Sequence, residues 1–208
     1  MSLAYALLLD GGFLRYKLGK PGSPVDAAGI STFAAQVSAL PCLQGMRLHR
    51  IYFYDSRPLQ IAQNKPWRGG TVDFGATAAA ARNKHLHASL IRERYFALRF
   101  GELHLEGWRL RPKLLRKPGP VVQIDANDLE PNIRQKGVDM RIGLDIASLT
   151  LKKHAQVIVL VTGDSDFVPA MKFARREGAQ LILITMGHGI REGLAEHADV
   201  VIDQFPPT

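Results

Sequence analysis

The eleven residues Val157–Phe167, VIVLVTGDSDF, decide the fold class of this 208-residue chain. The five consecutive apolar residues Val157–Val161 predict a strand buried on both faces, because a strand with one face in water alternates apolar with polar residues. A glycine, Gly163, then marks a turn. Two aspartates, Asp164 and Asp166, follow that turn. The stretch predicts a central strand with acidic side chains beyond its carboxyl end.

The chain on either side of this stretch alternates apolar runs with helical spacings. Short apolar or β-branched runs predict further strands at residues 4–9, 48–54, 181–185 and 200–202. Apolar residues at helical spacing predict helices at residues 26–40, 76–96, 138–153, 167–177 and 190–197. Buried strands alternating with helices are typical of an α/β fold, with a mainly parallel sheet covered on both faces.

The middle of the chain has a less regular pattern. Residues 58–75 contain two prolines and three glycines, which predict an irregular segment. Residues 98–110 alternate apolar with polar positions, which predicts strands, with a hairpin as one arrangement, and residues 117–135 are expected to form a long loop. A chain of 208 residues, 46% of them hydrophobic, has room for one substantial core. We therefore expect a single domain, 1–208, with residues 57–135 as a variable basic insertion.

Four aspartates lie where a parallel sheet places its ligand site, which is beyond the carboxyl ends of the strands. Asp10 follows the first strand, Asp164 and Asp166 follow the strand at 157–161, and Asp139 lies in the first turn of a helix. These carboxylates converge if the first strand and the strand at 157–161 are neighbours. Helix capping explains any single one of them as well. Four together favour a common site.

Converging carboxylates repel one another unless a cation compensates their charge. Mg²⁺ or Mn²⁺ suits such a site, because hard cations prefer oxygen ligands. An ion of this kind activates water and neutralises charge on a phosphoryl group. The predicted metal ligands and catalytic residues are Asp10, Asp139, Asp164 and Asp166. Residues in supporting roles are Thr162, Ser165, Lys136 and Asp145, although capping, an ordinary surface position or a structural role explains them equally.

The net charge of +8 is unevenly distributed along the chain. Residues 82–117 carry +7, whereas residues 137–208 carry −2. A basic segment with an interleaved aromatic suits single-stranded nucleic acid, because cations contact phosphates and aromatics stack on bases. The candidate contacts are Arg92, Arg94, Arg99, Trp108, Arg109, Arg111, Lys113, Arg116 and Lys117. The alternative is a solvated helix and a hairpin with the tryptophan in its core.

Composition and motifs exclude several other classes. The single cysteine, Cys42, excludes an intramolecular disulfide and a multi-cysteine zinc site, and it fits a reducing cytoplasm. The apolar runs are too short for a membrane span, and an aspartate within the first run argues against a secretory signal. Neither a dinucleotide-binding glycine motif nor a P-loop follows the first strand. His85 and His87 are about 200° apart on a helix and form no metal pair there.

Three segments together resemble the NYN domain family of PIN-like, metal-dependent ribonucleases, with greatest similarity to the bacterial LabA/DUF88 branch. These are LDGGFL at 9–14, KGVD at 136–139 with Asp145 beyond it, and VTGDSDFVP at 161–169. The resemblance is strongest over residues 3–18 and 133–203. It implies a PIN-like three-layer α/β/α sandwich. It also implies that the four aspartates hold Mg²⁺ or Mn²⁺ for phosphodiester hydrolysis, above all of RNA.

One position departs from the family pattern: Phe13 stands where many relatives have asparagine, and its side chain makes no equivalent polar contact. Two function classes follow. The first is a metal-dependent endonuclease acting on RNA. The second is a nucleic-acid-binding module that keeps the fold without cutting, which Phe13 supports. A phosphatase with Asp10 as nucleophile is disfavoured because Gly12 replaces the usual second aspartate. The oligomeric state stays open, with a homodimer as one arrangement.

Overall fold

The computed structural model describes residues 2–20, 22–116, 121 and 123–205. The strands in these ranges are β1 (Ala4–Asp10), β2 (Arg47–Ser56), β3 (Ala62–Asn64), β4 (Thr71–Asp73), β5 (Phe96–Leu110), β6 (Leu129–Lys136), β7 (Val157–Val161), β8 (Gln180–Ile184) and β9 (Val200–Ile202). The helices are α1 (Gly11–Leu18), α2 (Ala27–Ser38), α3 (Ala78–Leu90), α4 (Val138–Leu151), α5 (Val168–Arg176) and α6 (Glu192–Glu196). None of these helices is long and apolar enough to cross a membrane.

Seven strands form one sheet in the order β6-β5-β2-β1-β7-β8-β9, and β3 pairs with β4 in a separate hairpin. All neighbours in the large sheet are parallel except β5 and β6, which are antiparallel. In the centre, Leu9 of β1 lies between Phe53 of β2 and Val161 of β7. The mainly parallel sheet predicted from the sequence is thereby confirmed.

The helices cover both faces of the sheet and create two cores. On one face, Leu7 and Leu9 of β1 join a core that includes Phe33 of α2 and Leu90 of α3. On the other, Leu8 joins a core formed with α4, α5 and α6. Because successive strand side chains point to opposite faces, an uninterrupted apolar strand supplies both cores. The three-layer α/β/α sandwich is confirmed.

The middle of the chain differs from the prediction in four places, the first being residues 58–75, expected to be irregular, which contain the β3–β4 hairpin. The helix expected over 76–96 ends at Leu90, because Phe96 already begins β5. Residues 98–110 are part of that one long strand, in which Gly107 (φ +115°) accompanies a break in register. Residues 129–136, expected in a loop, form the edge strand β6. Their exposed polar positions and Pro131 hid the strand pattern, which only the pairing with β5 reveals.

Strand β6 determines where α4 begins. Gly101 of β5 lies level with Ser56 at the end of β2, so the rest of β5 extends past the carboxyl edge of the sheet. The antiparallel β6 returns to that edge, where Lys136 pairs beside Glu102. A side chain on Gly101 would lie 2.6 Å from Val138 Cγ2, so glycine is needed for this close approach. Helix α4 therefore starts at the carboxyl edge.

Candidate active site

Asp10 and Thr162 lie side by side at the ends of the central strands β1 and β7. Their predecessors, Leu9 and Val161, are register partners, so the neighbouring arrangement that convergence required is present. Asp10 caps α1, since its Oδ1 accepts a hydrogen bond from the Phe13 backbone N–H at 3.1 Å. Its Oδ2 accepts the hydroxyl of Thr162 at 3.2 Å. Thr162 is fully buried and therefore holds Asp10 in a fixed orientation.

Thr162 also organises the loop that carries the next two aspartates. The backbone N–H of Asp164 donates to the Thr162 hydroxyl at 3.2 Å. The Asp164 carboxylate in turn accepts the backbone N–H of Asp166 at 2.9 Å and caps the short 3-10 helix Ser165–Phe167. Both aspartates are exposed. Capping and membership of an acidic cluster are thus compatible, because a cap occupies only part of a carboxylate's hydrogen-bonding capacity.

Asp139 joins the cluster from the first turn of α4, which packs against the 165–167 helix. The pKa of Asp139 is raised first by desolvation of its carboxyl group and then by the negative charges of Asp164 and Asp166. The pKa of Asp10 is raised mainly by burial, although its hydrogen bonds oppose the change, and Asp139 adds a further upward contribution. Asp139 is therefore electrostatically coupled to Asp10, Asp164 and Asp166.

No cation within the described ranges forms an ion pair with these four carboxylates. Lys136 lies 3.8 Å from Glu106 instead. Within the described residues, no three or more His, Cys, Asp or Glu side chains are positioned closely enough to hold a metal ion. The fit to Mg²⁺ or Mn²⁺ rests on donor chemistry: the four aspartates and Thr162 offer carboxylate and hydroxyl oxygens, which are the ligands that these cations prefer. Mg²⁺ needs only one or two carboxylates because it retains water ligands.

Two of the four aspartates, Asp10 and Asp164, line a cleft of about 390 Å³, whereas Asp139 and Asp166 are not among its lining residues. Its lining residues are Asp10, Phe13, Thr162, Gly163, Asp164, Ser165, His188, Gly189 and Arg191. The Arg191 guanidinium donates to the Ser165 hydroxyl at 3.4 Å. Neither His188 nor Arg191 is among the site residues predicted from the sequence. The position of their loop, directly after β8 at the same edge of the sheet, was the available signal.

Asp145 and Arg99, predicted in different roles, form an ion pair with each other. Arg99 Nε donates to Asp145 Oδ2 at 2.9 Å, and the buried Tyr54 hydroxyl donates to the same oxygen at 2.9 Å. The Arg99 guanidinium also lies over the Tyr52 ring. Desolvation and the nearby Asp145 charge raise the pKa of Tyr54 well above its ordinary value. These contacts join α4 to β2 and β5 beside the acidic cluster.

The part of β5 and β6 beyond the edge of the sheet, residues 102–110 and 129–136, is here called the arm. Trp108 packs on the β3–β4 hairpin, donating its Nε1–H to the Asn64 carbonyl at 3.1 Å. Arg109 pairs with Glu130 at 2.8 Å. Beyond the arm, Arg111 and Lys113 are exposed. Arg116 ends the 3-10 helix of residues 112–116, and Lys117 lies outside the described residues.

Arg92 and Arg94 lie away from the acidic cluster. They precede Phe96, which pairs with Ile51 in the middle of β2. Ile51 is five residues from the end of β2, which corresponds to roughly 16 Å along the strand. These two arginines are therefore displaced toward the amino edge of the sheet, whereas the arm projects from the carboxyl edge.

Asp55 is a carboxylate that sequence reasoning missed, although it directly follows the predicted strand at 48–54. It is buried at the end of β2, where Arg15 donates to it at 2.9 Å and His87 lies 2.8 Å away. Arg15 also donates to Asn83 of α3 at 3.0 Å. The network links α1, β2 and α3, and Arg15 supplies it with an internal cation.

Comparison with known families identifies the fold independently. The model of the NYN domain matches residues 49–204, which is well over half of the chain. The chain belongs to the NYN domain family. A PIN-like nuclease fold is the general assignment for this family. The match begins after β1, so Asp10 lies outside it, even though β1 is the central strand of the sheet.

Two similar proteins, one by sequence and one by structure, show what this chain resembles. This NYN domain is 34% identical over 73 residues to an uncharacterised protein of Methanocaldococcus jannaschii, covering 35% of the chain. The chain spans 30% of that relative's length. A crystal structure of a protein of unknown function from Vibrio parahaemolyticus superposes with a TM-score of 0.53 and 15% identity, covering 97% of this chain and 92% of the other. That likeness shows a shared fold.

Proposed function

We propose that this NYN domain is an endonuclease that hydrolyses phosphodiester bonds of RNA with the help of Mg²⁺ or Mn²⁺. The observation that carries the proposal is the set of four aspartates at one edge of the sheet, which repel one another and have no cationic partner within the described ranges. Such a set costs free energy in the empty protein and is compensated by an external cation. Active sites commonly accept this kind of cost.

Each residue has a defined part in this proposal. Asp10, Asp139, Asp164 and Asp166 would hold the metal, which when bound activates water and offsets charge on the phosphate. Thr162 is a positioning residue, because its hydroxyl donates to Asp10 and accepts the backbone N–H of Asp164. Ser165 accepts from Arg191 and so keeps a cation at the rim of the cleft.

The nucleic-acid contacts are proposed at the arm and just beyond it. Arg111 and Lys113 are exposed, and no ion pair of either is found among the described residues. Arg116 and Lys117 continue this basic segment in the sequence. Trp108 and Arg109 already have protein partners, which fits a role in shaping the arm. Cations with few internal partners are the ones available to phosphates.

A second candidate is a binding module that keeps the cleft and cuts nothing. It is favoured by Phe13, which lines the cleft where relatives have a polar side chain. The backbone N–H of Phe13, however, still donates to Asp10. That contact does not depend on the side chain, and Thr162 supplies a second donor. The support of Asp10 is therefore retained, and we favour the nuclease.

The test compares the wild type with Asp164→Asn and with the control Asp73→Asn, which alters an exposed aspartate on β4. Each protein is incubated with labelled single-stranded RNA and with DNA of the same sequence, in Mn²⁺, in Mg²⁺ and in EDTA. We expect RNA cleavage that requires metal, is unchanged in Asp73→Asn and falls at least about 100-fold in Asp164→Asn.

Three outcomes would contradict the proposal. Cleavage that survives Asp164→Asn would come from a contaminant. Tight RNA binding without metal-dependent cleavage would establish the binding module. Release of inorganic phosphate from small phosphate esters, without cleavage of internal bonds, would establish a phosphatase.

A further inference from the structure

Two aromatic rings stand beside the acidic cluster. Phe13 lies in the first turn of α1, and His188 lies in the loop after β8. Their ring centroids are 5.5 Å apart with an interplanar angle of 83°, which is an edge-to-face arrangement. Both are half-buried and line the same cleft as Asp10 and Asp164. The cleft therefore has an acidic side and an aromatic side.

The backbone holds this aromatic pair in place. Gly163 lies directly beneath it, since a side chain there would collide with the His188 ring and lie 2.9 Å from Phe13 Cε2. The loop carrying His188 turns at Met186 (φ +51°) and Gly187 (φ +68°). The backbone N–H of His188 donates to the Thr185 carbonyl at 2.9 Å. These backbone contacts fix the positions of both rings at the side of the cleft.

The geometry of the pair leaves aromatic surface available to a planar ligand. In an edge-to-face pair, the ring that presents its edge keeps both of its faces free of the other ring. Lys17 Nζ lies over the Phe13 ring, 5.8 Å from its centroid, and Arg191 lines the same cleft, where it donates to Ser165. An aromatic surface flanked by cations suits a nucleobase with its phosphates.

We propose that Phe13 and His188 form the binding site for a single unstacked nucleobase of the RNA strand, next to the phosphate at the aspartates. This inference rests on the proposed nuclease function and narrows its substrate class to unpaired RNA. A base in a double helix is stacked on its neighbours and reaches such a pocket only after it is splayed out. The phenylalanine at position 13 supplies stacking surface in place of a polar contact.

The test measures binding and cleavage of one RNA sequence in three forms: single-stranded, annealed to its complement, and single-stranded with a stretch of abasic nucleotides. Binding is measured by anisotropy in EDTA, which prevents metal-dependent cleavage and leaves every residue of the cleft unchanged. We expect Phe13→Leu to weaken binding of the single strand about tenfold. Phe13→Tyr should restore that binding. The control Tyr95→Leu, which alters an exposed aromatic next to the start of β5, should leave it unchanged.

Several results would overturn this inference. Equal binding of the abasic and intact single strands would do so, as would duplex bound as tightly as single strand. If Phe13→Leu fails to fold, His188→Leu and the abasic comparison with unsubstituted rings decide the question. RNA cleavage that is insensitive to all these changes rejects the base site alone. Base-dependent binding without any metal-dependent cleavage rejects the nuclease proposal alone.

Discussion

Asp55 and Asp10 lie at the ends of neighbouring strands, β2 and β1, yet their carboxylates have opposite surroundings. Asp55 is 1% exposed and receives hydrogen bonds from the cationic Arg15 and from its own neighbour's backbone, with His87 2.8 Å away. Asp10 receives one hydroxyl and backbone N–H groups, and it faces the negative charge of Asp139. One carboxylate is neutralised inside the protein, and the other is not.

This comparison shows which carboxylates are structural and which are available to a ligand. A buried carboxylate is tolerated only when cations and hydrogen bonds compensate it, as at Asp55. A carboxylate cluster without internal cations is unfavourable in the empty protein and becomes favourable when a divalent cation binds. The two sets should therefore respond differently to substitution, to metal and to pH.

The largest expected effect is on folding stability at Asp55. We expect Asp55→Ala to lower the free energy of unfolding by about 3–5 kcal/mol, because it leaves Arg15 partly buried without its partner. Denaturant unfolding followed by circular dichroism measures this. The control Asp73→Asn, at the exposed end of β4, keeps the side-chain oxygen that accepts the Gly75 and Ala76 backbone N–H groups, so it should change stability by less than about 0.5 kcal/mol. A small effect of Asp55→Ala would show that Arg15 and His87 find other partners.

The next largest effect is stabilisation of the fold by bound metal. It should depend on the acidic cluster of Asp10, Asp139, Asp164 and Asp166 and not on Asp55. Mn²⁺ at about 100 times its dissociation constant should raise the free energy of unfolding by about 2.7 kcal/mol. Asp164→Asn should lose most of this increment, whereas Asp73→Asn should retain it. Thermal unfolding with and without Mn²⁺ measures the difference. An increment of the same size in wild type and Asp164→Asn would place the metal elsewhere.

Sequence reasoning predicted the elements whose patterns are local and missed those that depend on distant pairing. The strands β1, β7 and β8 are continuous apolar runs, and their burial on both faces follows from that pattern alone. Strand β6 has exposed polar positions, and only its hydrogen bonds to β5 make it a strand. Helix α1 opens with two glycines, which are poor helix formers, and is set by the Asp10 cap.

The position of the candidate site in the fold could be predicted from the sequence, but the side chains that surround each carboxylate could not. Because strand ends share an edge, the sequence predicts that Asp10, Asp164 and Asp166 lie together if β1 and β7 are neighbours, and these two strands do pair. The same rule also points to Asp55, and only its partners, the Arg15 guanidinium and the His87 imidazole, distinguish it. Those partners come from α1 and α3, far apart in the sequence. The pairing of Asp145 with Arg99 is non-local in the same way.

The smallest expected effect is on the pKa of Asp139, through its electrostatic coupling to the other residues of the acidic cluster. Desolvation is the largest cause that raises the pKa of Asp139, followed by the charge of Asp164 and then that of Asp166. In metal-free protein, Asp164→Asn should therefore lower the pKa of Asp139, Asp166→Asn should lower it less, and neither should return it to 3.8. Titration of the Asp139 carboxyl carbon by NMR measures both shifts. No change in either variant would show that the aspartates do not sense one another.

The same raised pKa values determine how stability depends on pH. Between 3.8 and the raised pKa values of Asp10 and Asp139, the folded protein binds more protons than the unfolded chain. The free energy of unfolding of metal-free protein should therefore fall as pH rises through this window, and the cost then persists at higher pH. Asp164→Asn should reduce that fall by less than about 1 kcal/mol, because the interacting side chains are largely exposed. With saturating Mn²⁺, the free energy of unfolding of the wild type should instead rise with pH in this window, since the metal competes with protons for the same oxygens.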